Sequence, residues 1–307
     1  MPSNISIQVS GLARHFGNKT ALNDVSFDVA KGELFGFIGP DGAGKTTLFR
    51  ILTSLLLPDA GSATVEGLDV VKDYKKLREI LGYMPGRFSL YQDLSVEENL
   101  RFFAGIFRTT PEANYDLVKD IYSQIEPFRK RKAGKLSGGM KQKLALSCAL
   151  IHKPEVLVLD EPTTGVDAVS RIEFWEMLAR LRSSGITIVV STPYMDEASR
   201  CDRVALIQNG GIMSIDTPAA IRKNFGRALW AVKADDAYRL LADLRRFKAG
   251  RSAFPFGEYI HLVPDDERLK PAEIESYLQA LGHSHISVRQ IEPSIEDCFM
   301  EMMKDSE

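Results

Sequence analysis

LFGFIGPDGAGKTTL, residues 34–48, passes from a continuously apolar run through a glycine-rich loop into a helical pattern carried on by Ile51, Leu52 and Leu55. A run with no polar face suits a strand buried on both sides of a parallel sheet. Gly39–Thr47 matches the phosphate-binding pattern GxxxxGK[ST], and it lies between strand and helix, where such a loop must lie. Glycines at 39, 42 and 44 let backbone N–H groups turn inward around an anion with no side chain in the way. The helix N-terminus aims its dipole at the same point. On this reading Gly39, Asp41, Gly42, Ala43, Gly44, Lys45, Thr46 and Thr47 wrap the phosphates of a nucleotide. Lys45 reaches the β- and γ-phosphates, and Thr46 holds Mg²⁺.

A second buried strand, VLVLDE at residues 156–161, supplies the complementary half. Two carboxylates emerge at its C-terminal end, where open α/β sheets place their sites. Asp160 is expected to accept a Mg²⁺-bound water, and Glu161 to orient and deprotonate an attacking water. An acidic pair after a strand is more often a cap or turn, but beside the loop at 39–47 it becomes that loop's partner.

The rest of the chain fits around these two strands. Ile5–Val9, Asp24–Val29, Glu33–Ile38, Val156–Asp160, Thr187–Ser191 and Val204–Gln208 read as strands alternating with helices, the layout of an α/β fold. Asn209-Gly210 reads as a hairpin turn leading to Ile212–Ile215. Between about Tyr83 and Ile151 the strand signal gives way to helices, opening with the capping-box pattern Ser95-Val96-Glu97-Glu98, so a helical subdomain inserted into the core is expected. The first domain is read as 1–225. Beyond it, Leu229–Lys233, Tyr259–Val263 and Ile286–Ile291 read as strands and Asp236–Phe247, Pro271–Leu281 and Ser294–Met303 as helices. That order predicts a small α+β domain at 226–307, of βαββαβ type.

Composition narrows the function. Of 307 residues, 44% are hydrophobic and 26% charged, as in a folded globular protein. Lys+Arg 39 against Asp+Glu 41 gives net charge −2 and no basic footprint for nucleic acid. No apolar run approaches the ~18 residues of a membrane span, and Met1-Pro2-Ser3-Asn4 opens no leader pattern. The expectation is an intracellular, cytoplasmic chain; any membrane part would belong to another chain. Cys148, Cys201 and Cys298 form no CxxC pair, so neither a disulfide framework nor a zinc site is read.

A third motif places the chain in a family. LSGGMKQ at residues 136–142 puts Ser137, Gly138 and Gly139 before a helix with apolar positions Met140, Leu144, Cys148 and Ile151, another helix start suited to an anion. Ser-Gly-Gly by itself is a common flexible turn. Its place, downstream of the phosphate loop and just upstream of the acidic strand, resembles the nucleotide-binding subunits of bacterial ABC transporters, whose LSGGQ-like signature completes the ATP site of a facing subunit. The resemblance covers about residues 3–225. It implies a P-loop ABC-type ATPase core, ATP and Mg²⁺ as ligands, and a second ATPase subunit, identical or different, as partner. It also implies a permease on a separate chain and a place on the cytoplasmic face of the inner membrane. Thr163–Asp167 looks like the family's D-loop, bringing Asp167 to the site. Phe16 sits where the family stacks an aromatic on adenine. GYMPGRFSLYQDLSVEENL at 82–100 and PSIEDCF at 293–299 are similar to multidrug- and polysaccharide-export members, making Phe88, Leu90 and Tyr91 candidate permease contacts.

Two positions depart from the family pattern. Gly86 stands where the family has a glutamine that senses Mg²⁺ and the attacking water, and Pro193 where it has a histidine that contacts the γ-phosphate. Neither brings a side-chain donor. Two readings therefore stand: an ATPase subunit driving a permease, for export, or a subunit that binds ATP and hydrolyses it slowly. Nucleic-acid-associated ABC proteins need paired cassettes or a long coiled coil, for which the sequence gives no sign.

Overall fold

Each of the apolar runs becomes a fully buried strand. In the computed structural model, which describes residues 4–266 and 268–305, the chain divides into two units, Met1–Thr217 and Pro218–Glu307. The first unit begins β1 (Ile5–Phe16), β2 (Lys19–Ala30), β3 (Leu34–Ile38), α1 (Lys45–Leu52), β4 (Ala60–Val65), β5 (Leu68–Asp69), α2 (Tyr74–Ile80) and β6 (Leu81–Met84). It continues α3 (Val96–Ile106), α4 (Tyr115–Tyr122), α5 (Gly138–Leu150), β7 (Val156–Asp160), α6 (Ala168–Ser183), β8 (Thr187–Thr192), β9 (Arg203–Gln208) and β10 (Gly211–Asp216).

Two sheets result. One is antiparallel, in order β2-β1-β4-β5, and the other runs β10-β9-β3-β8-β7-β6, parallel except for β10 at its edge. Side chains alternate across β3, so Phe35 and Phe37 enter the core shared by both sheets and α1. There Phe37 meets Phe27, Phe35 and Phe49 at centroid distances of 4.9, 5.2 and 5.7 Å, in edge-on or tilted contacts that aromatic rings favour. Leu48, Phe49, Ile51 and Leu52 of α1 fill the space between the sheets. The phosphate loop thus leaves the central strand of the parallel sheet and feeds a helix packed on both layers. No helix among the described residues is long and apolar enough to cross a membrane.

The helical stretch starts later than expected. Tyr83 and Met84 belong to β6, paired in parallel with β7, and helices begin at Val96, where Ser95 and Glu98 form the capping box. Asn209 and Gly210 both have positive φ, 48° and 79°, the conformation a two-residue hairpin requires.

The second unit comprises α7 (Pro218–Lys223), β11 (Trp230–Lys233), α8 (Ala237–Arg246), β12 (Gly250–Phe256), β13 (Tyr259–Pro264), α9 (Pro271–Ala280), β14 (Ser287–Gln290) and α10 (Ile295–Asp305). From β11 to β14 it follows a βαββαβ order, with an antiparallel sheet β12-β13-β11-β14. Trp230, Val232, Ile260 and Leu262 pack there against Leu240, Leu244, Ile274 and Leu278. The division falls after Thr217 rather than after 225, because α7 groups with the later residues: the Cys298 thiol donates to Ile221 O at 3.6 Å.

Candidate nucleotide site

Backbone packing fixes the loop. Gly39 N–H donates to Thr192 O at 3.4 Å. A Cβ at Gly39 would stand 2.1 Å from Ile207 O, so no other residue fits there. The Lys45 side chain is 2% exposed and 3.4 Å from Glu161 Oε1. Its ammonium donates to Gly39 O at 2.6 Å and Pro40 O at 3.0 Å. Thr46 Oγ1 donates to Asp160 Oδ1 at 3.2 Å. A hydroxyl and a carboxylate are the hard oxygen donors that Mg²⁺ takes, so these two residues fit that ion.

Ser191 Oγ donates to the same Asp160 oxygen at 2.7 Å and accepts from Glu161 N–H at 2.9 Å. One serine thereby ties the Asp160 carboxylate to the Glu161 backbone. Sequence reasoning passed over it; the signal was a hydroxyl at the end of β8, in register with Asp160. Glu161 adopts a left-handed conformation, φ 48°, that turns the chain out of the strand. On β6, opposite Val158 of β7, Tyr83 is pushed up to about 12 by burial and by the Asp160 charge, with Arg50 opposing, so its phenol stays neutral.

A cleft of about 170 Å³ opens over the loop, lined by Gly42–Thr47 and Glu161 below and by Phe16, Lys19 and Ala21 at the side. Phe16 is 48% exposed, and the Arg14 guanidinium lies 4.9 Å from its centroid. Gly39 and Asp41 belong to the loop but not to the cleft wall.

Ser137, Gly138, Gly139 and Asp167 form a separate cluster. Ser137 Oγ accepts from Met140 N–H at 3.3 Å, capping α5. Asp167 accepts from Ser170 N–H at 3.0 Å, capping α6, and that bond holds its carboxyl below the usual range. The caps are packed together: a Cβ at Gly139 would stand 2.7 Å from Ser170 Oγ, and one at Gly138 would stand 3.2 Å from Gly165 O. Ser137, Gly138 and Asp167 face solvent, and none of the four lines the cleft.

Gly86 and Pro193 adjoin Asp160 and the loop contact of Thr192 respectively. A Cβ at Gly86 would lie 3.2 Å from Asp160 O and 3.7 Å from Asp160 Oδ2. Pro193 follows Thr192, whose carbonyl holds the loop. Farther off, Phe88 and Leu90 line an apolar hollow of about 350 Å³ with Met84, Phe103, Ile106 and Phe107. Leu90 is itself buried, and Tyr91 stands outside the hollow, edge-on to Phe102 at 4.8 Å.

A phosphate loop on β3 and an acidic pair at the end of β7, one strand away across β8, define a P-loop nucleotide-binding protein. The family model described as ABC transporter matches residues 22–164. The chain is 38% identical, over 97% of its length, to "Probable multidrug ABC transporter ATP-binding protein YbhF" of Escherichia coli K12, and spans about half (52%) of that relative. It is 32% identical to "Nod factor export ATP-binding protein I" of Rhizobium sp. N33, over 98% of this chain and 97% of the relative. A solved ATP-binding subunit of an ABC transporter superposes with TM-score 0.65 at 28% identity, covering 72% of this chain and 93% of that one. The chain belongs to the ATP-binding subunits of ABC transporters, an ATPase family.

Proposed function

We propose that the chain hydrolyses ATP as one of two facing subunits that drive a separate membrane permease, in export. The observation that carries this reading is the separation of two half-sites. The cleft over Gly42–Thr47 has a wall on one side, while the capped cluster of Ser137–Gly139 and Asp167, in which Ser137, Gly138 and Asp167 face solvent, stands apart from that cleft. Two chains in opposed orientation bring each cluster over the other's cleft, a closed two-fold arrangement. The names of the multidrug and Nod factor relatives support export. The apolar hollow around Phe88 offers a permease helix its seat on the cytoplasmic side of the membrane.

Within the closed pair, Phe16 stacks on the base and the loop amides with Lys45 take the phosphates. Thr46 and Asp160 would hold Mg²⁺, which would supply charge neutralisation on the phosphate oxygens. Glu161, whose backbone Ser191 holds, takes the proton of the attacking water, and Lys45 stabilises charge on the γ-phosphoryl group. Gly86 and Pro193 favour a second reading, in which this subunit's own cleft binds ATP tightly and turns it over slowly while its Ser137–Gly139 cluster serves a more active partner. Ser137→Arg tests the facing arrangement. ATP-dependent association, read by light scattering, is expected to disappear while ATP binding to the single chain persists. Loss of both would refute the arrangement.

A further inference from the structure

One buried carboxylate ties together three segments at the hydrolytic end of the cleft. Glu197 is 3% exposed and lies in the short 3₁₀ helix Met195–Arg200 that follows β8. Its Oε2 accepts from Thr163 Oγ1 at 3.1 Å and from Thr192 Oγ1 at 2.5 Å, and its Oε1 accepts from Arg171 Nε at 3.1 Å. Each donor belongs to a different functional segment. Thr163 stands two residues after Glu161, Thr192 immediately precedes Pro193, and Arg171 is in the first turn of α6, where its N–H donates to Asp167 O at 2.9 Å. The guanidinium also lies over Tyr194, 4.2 Å from its centroid, so Arg171 is held on two sides.

A buried charge is costly unless it is paired and hydrogen-bonded. Here two hydroxyls and a guanidinium meet that demand, and a network so satisfied fixes the relative positions of its members. None of the four groups lines the cleft. We propose that Glu197 is a positioning residue for hydrolysis. It locks the loop carrying Glu161 to the segment after β8 and to the Asp167-capped helix. Because Gly139 packs on Ser170 of that helix, a partner subunit that displaces the Ser137–Asp167 block moves Glu161 through this carboxylate. The inference rests on the reading of Glu161 as the proton acceptor.

Glu197→Gln keeps the size but turns one acceptor into a donor facing donors. Single-turnover hydrolysis at saturating ATP is expected to slow about 10²-fold, the usual cost of a reacting group misplaced by about an ångström. Nucleotide affinity stays at the wild-type value. Thr163→Val, which removes one donor from the Glu161 loop, shifts the rate in the same direction, and it decides alone if Glu197→Gln does not fold. Wild-type rates in these variants overturn the proposal, and so does a matched loss of affinity and rate, the mark of a merely structural role. Glu161→Gln run alongside keeps the two readings distinct: if it retains turnover, the assignment of Glu161 fails, whatever Glu197 does.

Discussion

On the second reading, in which this cleft turns ATP over slowly, supplying two side chains beside Asp160 and the loop should make the site fast. The double variant Gly86→Gln/Pro193→His places an amide and an imidazole where the wild-type chain has no side-chain donor. At position 86 the new Cβ meets Asp160 O at 3.2 Å, so the backbone must give by a few tenths of an ångström, and Asp160 Oδ2 lies 3.7 Å away. The amide is therefore delivered beside the carboxylate read as the Mg²⁺ ligand. One well-aimed donor is worth about 2.7–4 kcal/mol in the transition state, on the order of 10²–10³ in rate. Two donors acting on one reaction centre, the first at the water and Mg²⁺ and the second at the γ-phosphate, do not simply add, so the pair is expected to gain roughly 10²–10³ in total. The assay is single-turnover hydrolysis with protein in excess over ATP, beside a binding titration to show that affinity is preserved. A wild-type chain already turning over at about 1 s⁻¹ or faster, and not improved by the double substitution, would refute the reasoning.

Two further outcomes follow from the geometry. Lys45→Ala removes a charge-assisted contact worth about 1.5–3 kcal/mol, so Mg-ATP affinity measured calorimetrically should fall roughly 10- to 100-fold; unchanged affinity would remove Lys45 from the site. In the second unit, burial alone would raise the Asp297 carboxyl, but bonds from His261 and Ser294 outweigh it and hold the group below its ordinary value. A depressed carboxyl stabilises the fold above its unfolded pKa, and that stability is lost as pH falls through the lower folded value. The urea midpoint of the full chain should therefore drop below about pH 4, and Asp297→Asn should flatten that acid limb; an identical limb in the variant would show that Asp297 does not carry it.

The parallel strands were legible because their residues are apolar on both faces, and the loop at 39–47 because its chemistry admits few alternatives. What escaped had weak side-chain signals. β4 is built on Ala-Gly-Ser-Ala-Thr-Val and pairs through its backbone, and β6 contains a buried Gly82 that leaves no room for a Cβ beside Ala149 O. β12 includes Pro255, which an edge strand tolerates and a central one does not. β1 and β2 run to twelve residues each, much longer than their apolar cores, through bulges where Gly11 and Asp24 take positive φ. In the site, loop and carboxylates could be read from local sequence. Ser191 and Glu197 could not, since each meets a partner more than thirty residues away in sequence, and Lys19, which joins the cleft wall, belongs to no motif.

Phe27, Phe35, Phe37 and Phe49 lie directly behind the phosphate loop, all within one core. The anchor of the cradle is therefore the part of the unit least able to open by a local fluctuation, since such openings draw on regions with few buried apolar contacts. A nucleotide held there is released by unfolding only when the core itself melts. Its binding energy is then passed to the whole unit by mass action, so the melting temperature of that unit should climb with nucleotide concentration relative to Kd and go on climbing after the cleft is full.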